Sequence, residues 1–128
     1  MVDTVERLNL APGFLDISSG RPLNELAMAI YDYCESHGWN KDFNFQEKLL
    51  LIHSEISEAF EHYRNGAQYQ DLIWDKDGKP DGIGIELIDV MIRLLHLCAY
   101  IGFDIDKLMA IKMEYNETRP YRHGNKQA

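Results

Sequence analysis

The sequence is short of basic residues. Thirteen Lys and Arg stand against 21 Asp and Glu, leaving a formal net charge of -8. A protein that holds nucleic acid or an anionic membrane through a generic basic patch has the opposite balance, so neither is an expected partner. An anionic small ligand is still compatible, because bound metal ions reverse the charge of a local site. Long apolar runs are lacking too. The most apolar stretch, residues 83–103, is interrupted by Glu86, Asp89, Arg93 and His96, which makes it too polar for a membrane span. Cysteine is scarce. Cys34 and Cys98 lie far apart with no C-x-x-C spacing, so reduced core thiols in a cytoplasmic protein are expected. The first 14 residues have no basic start followed by an apolar run, and no signal peptide is expected. Strand-like alternation and internal repeats are missing as well.

What is present is helical periodicity. The 128 residues, 45% hydrophobic and 27% charged, suit a single globular domain spanning 1–128. Residues 1–20 read as an irregular segment broken by Pro12, Gly13 and Gly20. A first helix is expected from Pro22 to His37, with Gly38 as its stop. Its apolar positions Leu23, Leu26, Ala27, Ile30, Tyr31 and Cys34 recur at helical spacing. A second helix is expected from Phe45 to Asn65, capped by Asn44 and ended by Gly66, with Leu49, Ile52, Ile56, Ala59, Phe60 and Tyr63 as its core stripe. Residues 67–81 then read as a long loop, a length that hints at function. A third helix is expected from Ile83 to Ile101, stopped by Gly102. A fourth follows the cap Asp104 and reaches Thr118, before Pro120. Residues 121–128 form a polar, basic tail. Four helices with one long connection suggest an all-α, four-helix bundle.

The third helix carries the argument for chemistry. It is apolar on almost every side, and such a helix is normally buried. Yet Glu86, Asp89, Arg93 and His96 fall three or four residues apart. At about 100° per residue they share one narrow stripe. A carboxylate in such surroundings is costly unless it is paired, metal-bound or facing a cavity. A salt bridge from Glu86 or Asp89 to Arg93 is one solution. The second helix offers another, since Glu55 and Glu58 share a face that His62 continues. A lone Glu-x-x-Glu is usually a solvated helix face, but four facing carboxylates repel one another unless cations sit between them. Oxygen-only ligation favours Mg²⁺, with Mn²⁺ as an alternative. On the fourth helix Lys112, Asn116 and Arg119 form one stripe, suited to phosphate oxygens or, equally, to an exposed basic face near a helix C-terminus.

Glu55-x-x-Glu58, 27 intervening residues, Glu86-x-x-Asp89, and then Lys112-x-x-x-Asn116-x-x-Arg119 together resemble the MazG-type all-α nucleoside triphosphate pyrophosphohydrolases, which include dCTP pyrophosphatase-like members. The resemblance spans residues 39–126, and the continuous text of residues 112–124 strengthens it. It implies a MazG-like four-helix bundle that assembles as a homodimer or homotetramer. It implies metal-dependent hydrolysis of a (deoxy)nucleoside triphosphate between the α and β phosphates, giving a nucleoside monophosphate and pyrophosphate, as nucleotide-pool clean-up. Metal ligands would fall on Glu55, Glu58, Glu86 and Asp89. One of Glu55 and Glu58 would also orient or deprotonate the attacking water. Phosphate contacts would fall on Lys112, Asn116 and Arg119. Trp39 stands where dCTP-cleaving relatives place a base-holding aromatic, though plain core packing serves as well for it. Residues 67–81 and Arg93 depart from the subgroups, which leaves the base open. Two other classes compete. A carboxylate-bridged di-iron bundle needs Glu-x-x-His pairs, and none is present. A non-catalytic nucleotide- or protein-binding helical module needs only the acidic stripes.

Overall fold

A computed structural model describes residues 20–128; the irregular segment expected over 1–20 lies, but for Gly20, outside the described residues. Four longer helices carry the architecture: α1 (Pro22–Ser36), α2 (Phe45–Arg64), α3 (Ile83–Ile101) and α4 (Ile105–Glu117). A single turn, α5 (Arg122–Asn125), closes the chain. Each boundary lies within about two residues of the expected one, the normal scatter of helix ends. The caps explain this agreement. The Asn44 side chain accepts from Glu47 N at 2.9 Å, and that of Asp104 accepts from Lys107 N at 3.2 Å. Gly102 ends α3 in the left-handed conformation, with φ of 92°, which glycine adopts without a Cβ penalty.

α1 and α4 cap each other. The Asp106 carboxylate accepts from Leu23 N at 3.1 Å and from Asn24 N at 2.8 Å. Asn24 in turn accepts from Ile105 N at 2.8 Å and donates to Asp104 at 2.8 Å. Two helix N-termini that would leave orphan amides are satisfied by one another's side chains. This exchange, rather than a broad apolar contact, ties α4 to the rest.

α3 is the centre of the packing, lying along both α1 and α2, while α4 meets α1. The buried apolar residues are few: Ala27, Ile30 and Cys34 from α1, Ala59 from α2 and Leu97 from α3. Both cysteines are free thiols, Cys34 buried and Cys98 half-buried, and burial pushes both above the ordinary thiol range. Two expectations are corrected here. On α2 the inward face is Ile52, Glu55, Ala59 and His62, while Leu49, Ile56, Phe60 and Tyr63 of the expected core stripe are exposed. On α3, Leu87, Ile88, Met91, Ile92 and Leu94 are exposed as well. The reason is that Glu55 and His62 of α2 and Glu86, Asp89 and Arg93 of α3 take up much of the seam, so much of the apolar surface of both helices turns away from it. Among the described residues no helix is long and apolar enough to cross a membrane.

The loop expected over 67–81 is also corrected. It contains a short antiparallel hairpin, β1 (Ile73–Trp74) and β2 (Pro80–Asp81), with Ile73 opposite Asp81 and Trp74 opposite Pro80. Asp75 builds the turn: its Oδ1 accepts from Asp77 N at 2.8 Å and Lys79 N at 2.9 Å, the self-made turn typical of Asp. Gly82 joins β2 to α3 at a φ of 134°, where a Cβ would fall 2.5 Å from the Asp71 carbonyl oxygen. Only glycine fits there, and Asp81 is fixed in place just ahead of α3.

Candidate functional site

The seam between α2 and α3 is the polar centre of the molecule. Glu55 and His62 reach it from α2, and Glu86, Asp89 and Arg93 from α3. Arg93 Nε donates to Glu55 Oε1 at 2.9 Å. The alternative of a salt bridge within α3, from Arg93 to Glu86 or Asp89, gives way to a hydrogen-bonded pair across the seam. His62 Nε2 lies 2.8 Å from Asp81 Oδ1 and 3.7 Å from Glu86 Oε1. Glu86 is only 7% exposed, and its Oε2 has no hydrogen-bond partner among the described residues. A buried carboxyl oxygen left unpartnered is unfavourable. Carboxylate oxygens of Glu55, Glu86 and Asp89 lie within 4.8 Å of one another, and Glu58, more exposed, lines the cavity beside Glu86.

The electrostatics follow from this crowding. Burial, reinforced by the neighbouring carboxyls of Glu58, Glu55 and Asp81, pushes Glu86 up to about 8. Burial and the negative charge of Glu55 also raise Asp89. Burial pushes Glu55 up too, but the hydrogen bond from Arg93, with help from the Glu86 and Glu58 carboxyls beside it, outweighs that and holds Glu55 below the ordinary range. The Gly82 amide, with help from Glu86 and His62, holds Asp81 low. Two of these carboxyls are thus driven towards the proton-bound form by burial and by the carboxyls around them, a pressure that a divalent cation would relieve.

Two cavities flank the seam. One, of about 310 Å³, is lined by Glu58, Glu61, His62, Asn65, Lys79, Asp81 and Glu86. The other, of about 240 Å³, is lined by Tyr33, Cys34, Trp39, Lys48, Glu55, Asp89, Ile92, Arg93 and His96. Trp39 is 62% exposed and is not part of the buried core. Its neighbour Asn40 is tied down. The Asn40 amide donates to Glu35 at 2.6 Å and to the Tyr31 carbonyl at 3.4 Å, and its Oδ1 meets His96 Nε2. With the amide nitrogen so used, His96 is the donor of that bond. Burial, then Lys48, lowers the His96 pKa, in keeping with a neutral imidazole.

The structure thus brings Glu55, Glu58, Glu86 and Asp89 together at one seam and sets Trp39 on the rim of an adjoining cavity. Lys112, Asn116 and Arg119 lie elsewhere. They are on α4, line neither cavity, and the two cations sit over the Tyr115 ring, Lys112 Nζ at 5.2 Å and Arg119 at 6.0 Å. Sequence reasoning placed His62 on the carboxylate face and His96 on the stripe of Glu86 and Asp89, but missed Asp81, the partner of His62, along with Lys79 and Lys48. For His62 the signal was its spacing from Glu55 and Glu58. For Asp81 and Lys79 there was none, because the hairpin that delivers them rests on pairing across a turn.

Comparison with protein-family models, with curated proteins and with solved structures finds no match for this chain.

Proposed function

We propose that the protein is a metal-dependent nucleoside triphosphate pyrophosphohydrolase of the MazG-like kind, producing a nucleoside monophosphate and pyrophosphate. The observation that carries this reading is Glu86. A buried carboxylate with an unpartnered oxygen, grouped with Glu55 and Asp89 within 4.8 Å, fits a hard divalent cation, Mg²⁺ or Mn²⁺, better than it fits any protein partner present. Bound there, the ion supplies Lewis-acid stabilisation of phosphoryl charge.

The chain's own residues divide the remaining work. Glu55 is held by Arg93 and Glu86 is buried, so Glu58, the more exposed carboxylate, is suited to accept a proton from the attacking water. Water adds to the α phosphorus, the bridging bond to the β phosphate breaks, and pyrophosphate leaves. The cavity that joins Glu55 and Asp89 to Trp39 and Tyr33 suits a base stacked at one end with its phosphates directed to the carboxylates. Lys112, Asn116 and Arg119 would serve the phosphates in an assembled homodimer or homotetramer. Support for assembly comes from the apolar sides of α2 and α3, where Phe60 is 59% and Met91 51% exposed, more than a lone domain normally leaves open. Disposal of unwanted nucleotides in the cytoplasm is the role this activity fits.

The test is a panel of canonical and damaged nucleoside triphosphates with Mg²⁺ and with Mn²⁺, scored for pyrophosphate release. At least one is expected to turn over. Glu58→Gln and Asp89→Asn should each reduce that rate at least about a hundredfold while the helical circular dichroism survives. Unchanged turnover in both variants would overturn the reading. Nucleotide binding with no release from any member would make the protein a non-catalytic module instead.

A further inference from the structure

The carboxylates proposed to hold a cation are not the only groups close to Glu86. His62 from α2 and Asp81 from the hairpin also stand beside it, and these have no role in the proposed hydrolysis. Donor atoms of His62, Asp81 and Glu86 lie within 4.8 Å of one another. Ligands about 2.1 Å from one ion lie about 3 Å apart when adjacent and about 4.2 Å apart when opposed. From His62 Nε2, the 3.7 Å to Glu86 Oε1 falls in that span, and the 2.8 Å to Asp81 Oδ1 is just short of its lower end.

We propose that His62, Asp81 and Glu86 form a second cation position, taking a divalent transition ion on one nitrogen and two carboxylate donors, with Glu86 as the ligand shared with Glu55 and Asp89. Three features favour this over a plain His–Asp ion pair. The Glu86 side chain is nine-tenths buried, yet its Oε2 has no partner among the described residues, so the ion pair leaves the most costly group unsatisfied. Asp81 is held rigidly, by its own bond from Gly82 N at 2.8 Å and by the glycine-only junction behind it, as a preorganised ligand should be. The cavity of about 310 Å³ opens onto all three residues and gives an ion a way in. An imidazole donor selects Mn²⁺, Co²⁺ or Zn²⁺ over Ca²⁺. The proposal rests on the metal-dependent reading only through the shared Glu86.

The test uses the full, untagged chain stripped of metal by a chelator. Manganese is titrated and the free ion counted by electron paramagnetic resonance, and pulsed measurements on the bound ion look for nitrogen-14 modulation from imidazole. The wild type is expected to bind two ions per chain and to show that modulation. His62→Gln and Asp81→Asn should each bind one ion, the former without nitrogen modulation, and Asp89→Asn should bind one with the modulation retained. One ion in the wild type, without nitrogen modulation and lost in Asp89→Asn, would overturn this proposal and leave the hydrolase reading standing. Two ions unaffected by His62→Gln and Asp81→Asn would overturn it as well. No bound manganese at all would remove both. Because nitrogen modulation is read on the wild type, the outcome does not depend on any variant folding.

Discussion

The two cavities beside the α2–α3 seam share no lining residue and differ in character. The cavity on the His62 side is lined by charged and polar side chains, with Lys79 as its lone cation among the lining residues. The cavity on the Trp39 side mixes carboxylates with an exposed indole, a tyrosine, an isoleucine and two cations, Lys48 and Arg93. A uniformly polar pocket against buried carboxyls suits ions and phosphate oxygens, while a pocket with aromatic walls and a few polar groups suits an organic ring. The comparison teaches that the seam offers two different surfaces: Glu86 lines the charged cavity with His62 and Asp81, and Glu55 and Asp89 line the one with aromatic walls.

The largest effect that would sharpen this contrast concerns Glu86 itself. Its pKa is raised from an ordinary 4.5 to about 8. In the chelator-treated protein the folded state therefore holds a proton between those values that the unfolded state has released. Stability from this group is complete below about pH 4.5 and is lost as the pH rises towards about pH 8. Glu86→Gln should flatten that slope, so that in urea unfolding it matches wild type near pH 5 and exceeds it near pH 8, at the cost of cation binding. Asp89 acts in the same direction, while Glu55 and Asp81, held low, give stability that is lost in acid. Adding Mn²⁺ should restore wild-type stability at the alkaline end, because the ion replaces the proton. A wild-type midpoint that climbs between about pH 5 and pH 8 with chelator present would break the assignment.

Much of this was legible in the sequence, and the line between what was and what was not is physical. The helices were legible because their ends are local. Asn44, Asp104, Gly66 and Gly102 act on amides and carbonyls within a turn of themselves. The grouping of the carboxylates was legible for a related reason: Glu86 and Asp89 stand in an apolar helix, and a helix imposes its own angular spacing. What was not legible depends on pairing between distant segments. The hairpin that fixes Asp81 has two-residue strands, too short to show alternation. The partner of Arg93, Glu55, is 38 positions away. Periodicity on α2 marked Leu49, Ile56, Phe60 and Tyr63 as an apolar face, but periodicity does not say whether the surface that covers it belongs to the same chain.

A smaller effect tests the ring side. Trp39→Ala should raise KM for the nucleotide about tenfold, since stacking one base on an aromatic contributes about 1–3 kcal/mol. The turnover number and the manganese stoichiometry should stay near wild type, because Trp39 is on the rim and contributes no ligand. Trp39→Phe should recover most of the affinity. If Trp39→Ala instead lowers turnover and leaves KM unchanged, the two cavities do not divide base from phosphate.

The smallest effect is the most discriminating about how the ring side is held. Asn40 joins the segment carrying Trp39 to three places: Glu35, the Tyr31 carbonyl and His96 of α3. No atom of Asn40 needs to touch substrate for it to matter. Asn40→Ala removes all three ties and leaves the buried His96 N–H without its acceptor, a loss of about 1–3 kcal/mol in stability. The Trp39 ring should then move more freely, seen as lower fluorescence anisotropy in a Trp74→Phe background, and KM should rise a few-fold, less than for Trp39→Ala. Combining the two substitutions should give no more than Trp39→Ala alone, because a positioning residue has nothing left to position. Additive losses would mean that Asn40 meets the substrate directly, and the boundary of the ring cavity would have to be redrawn to include it.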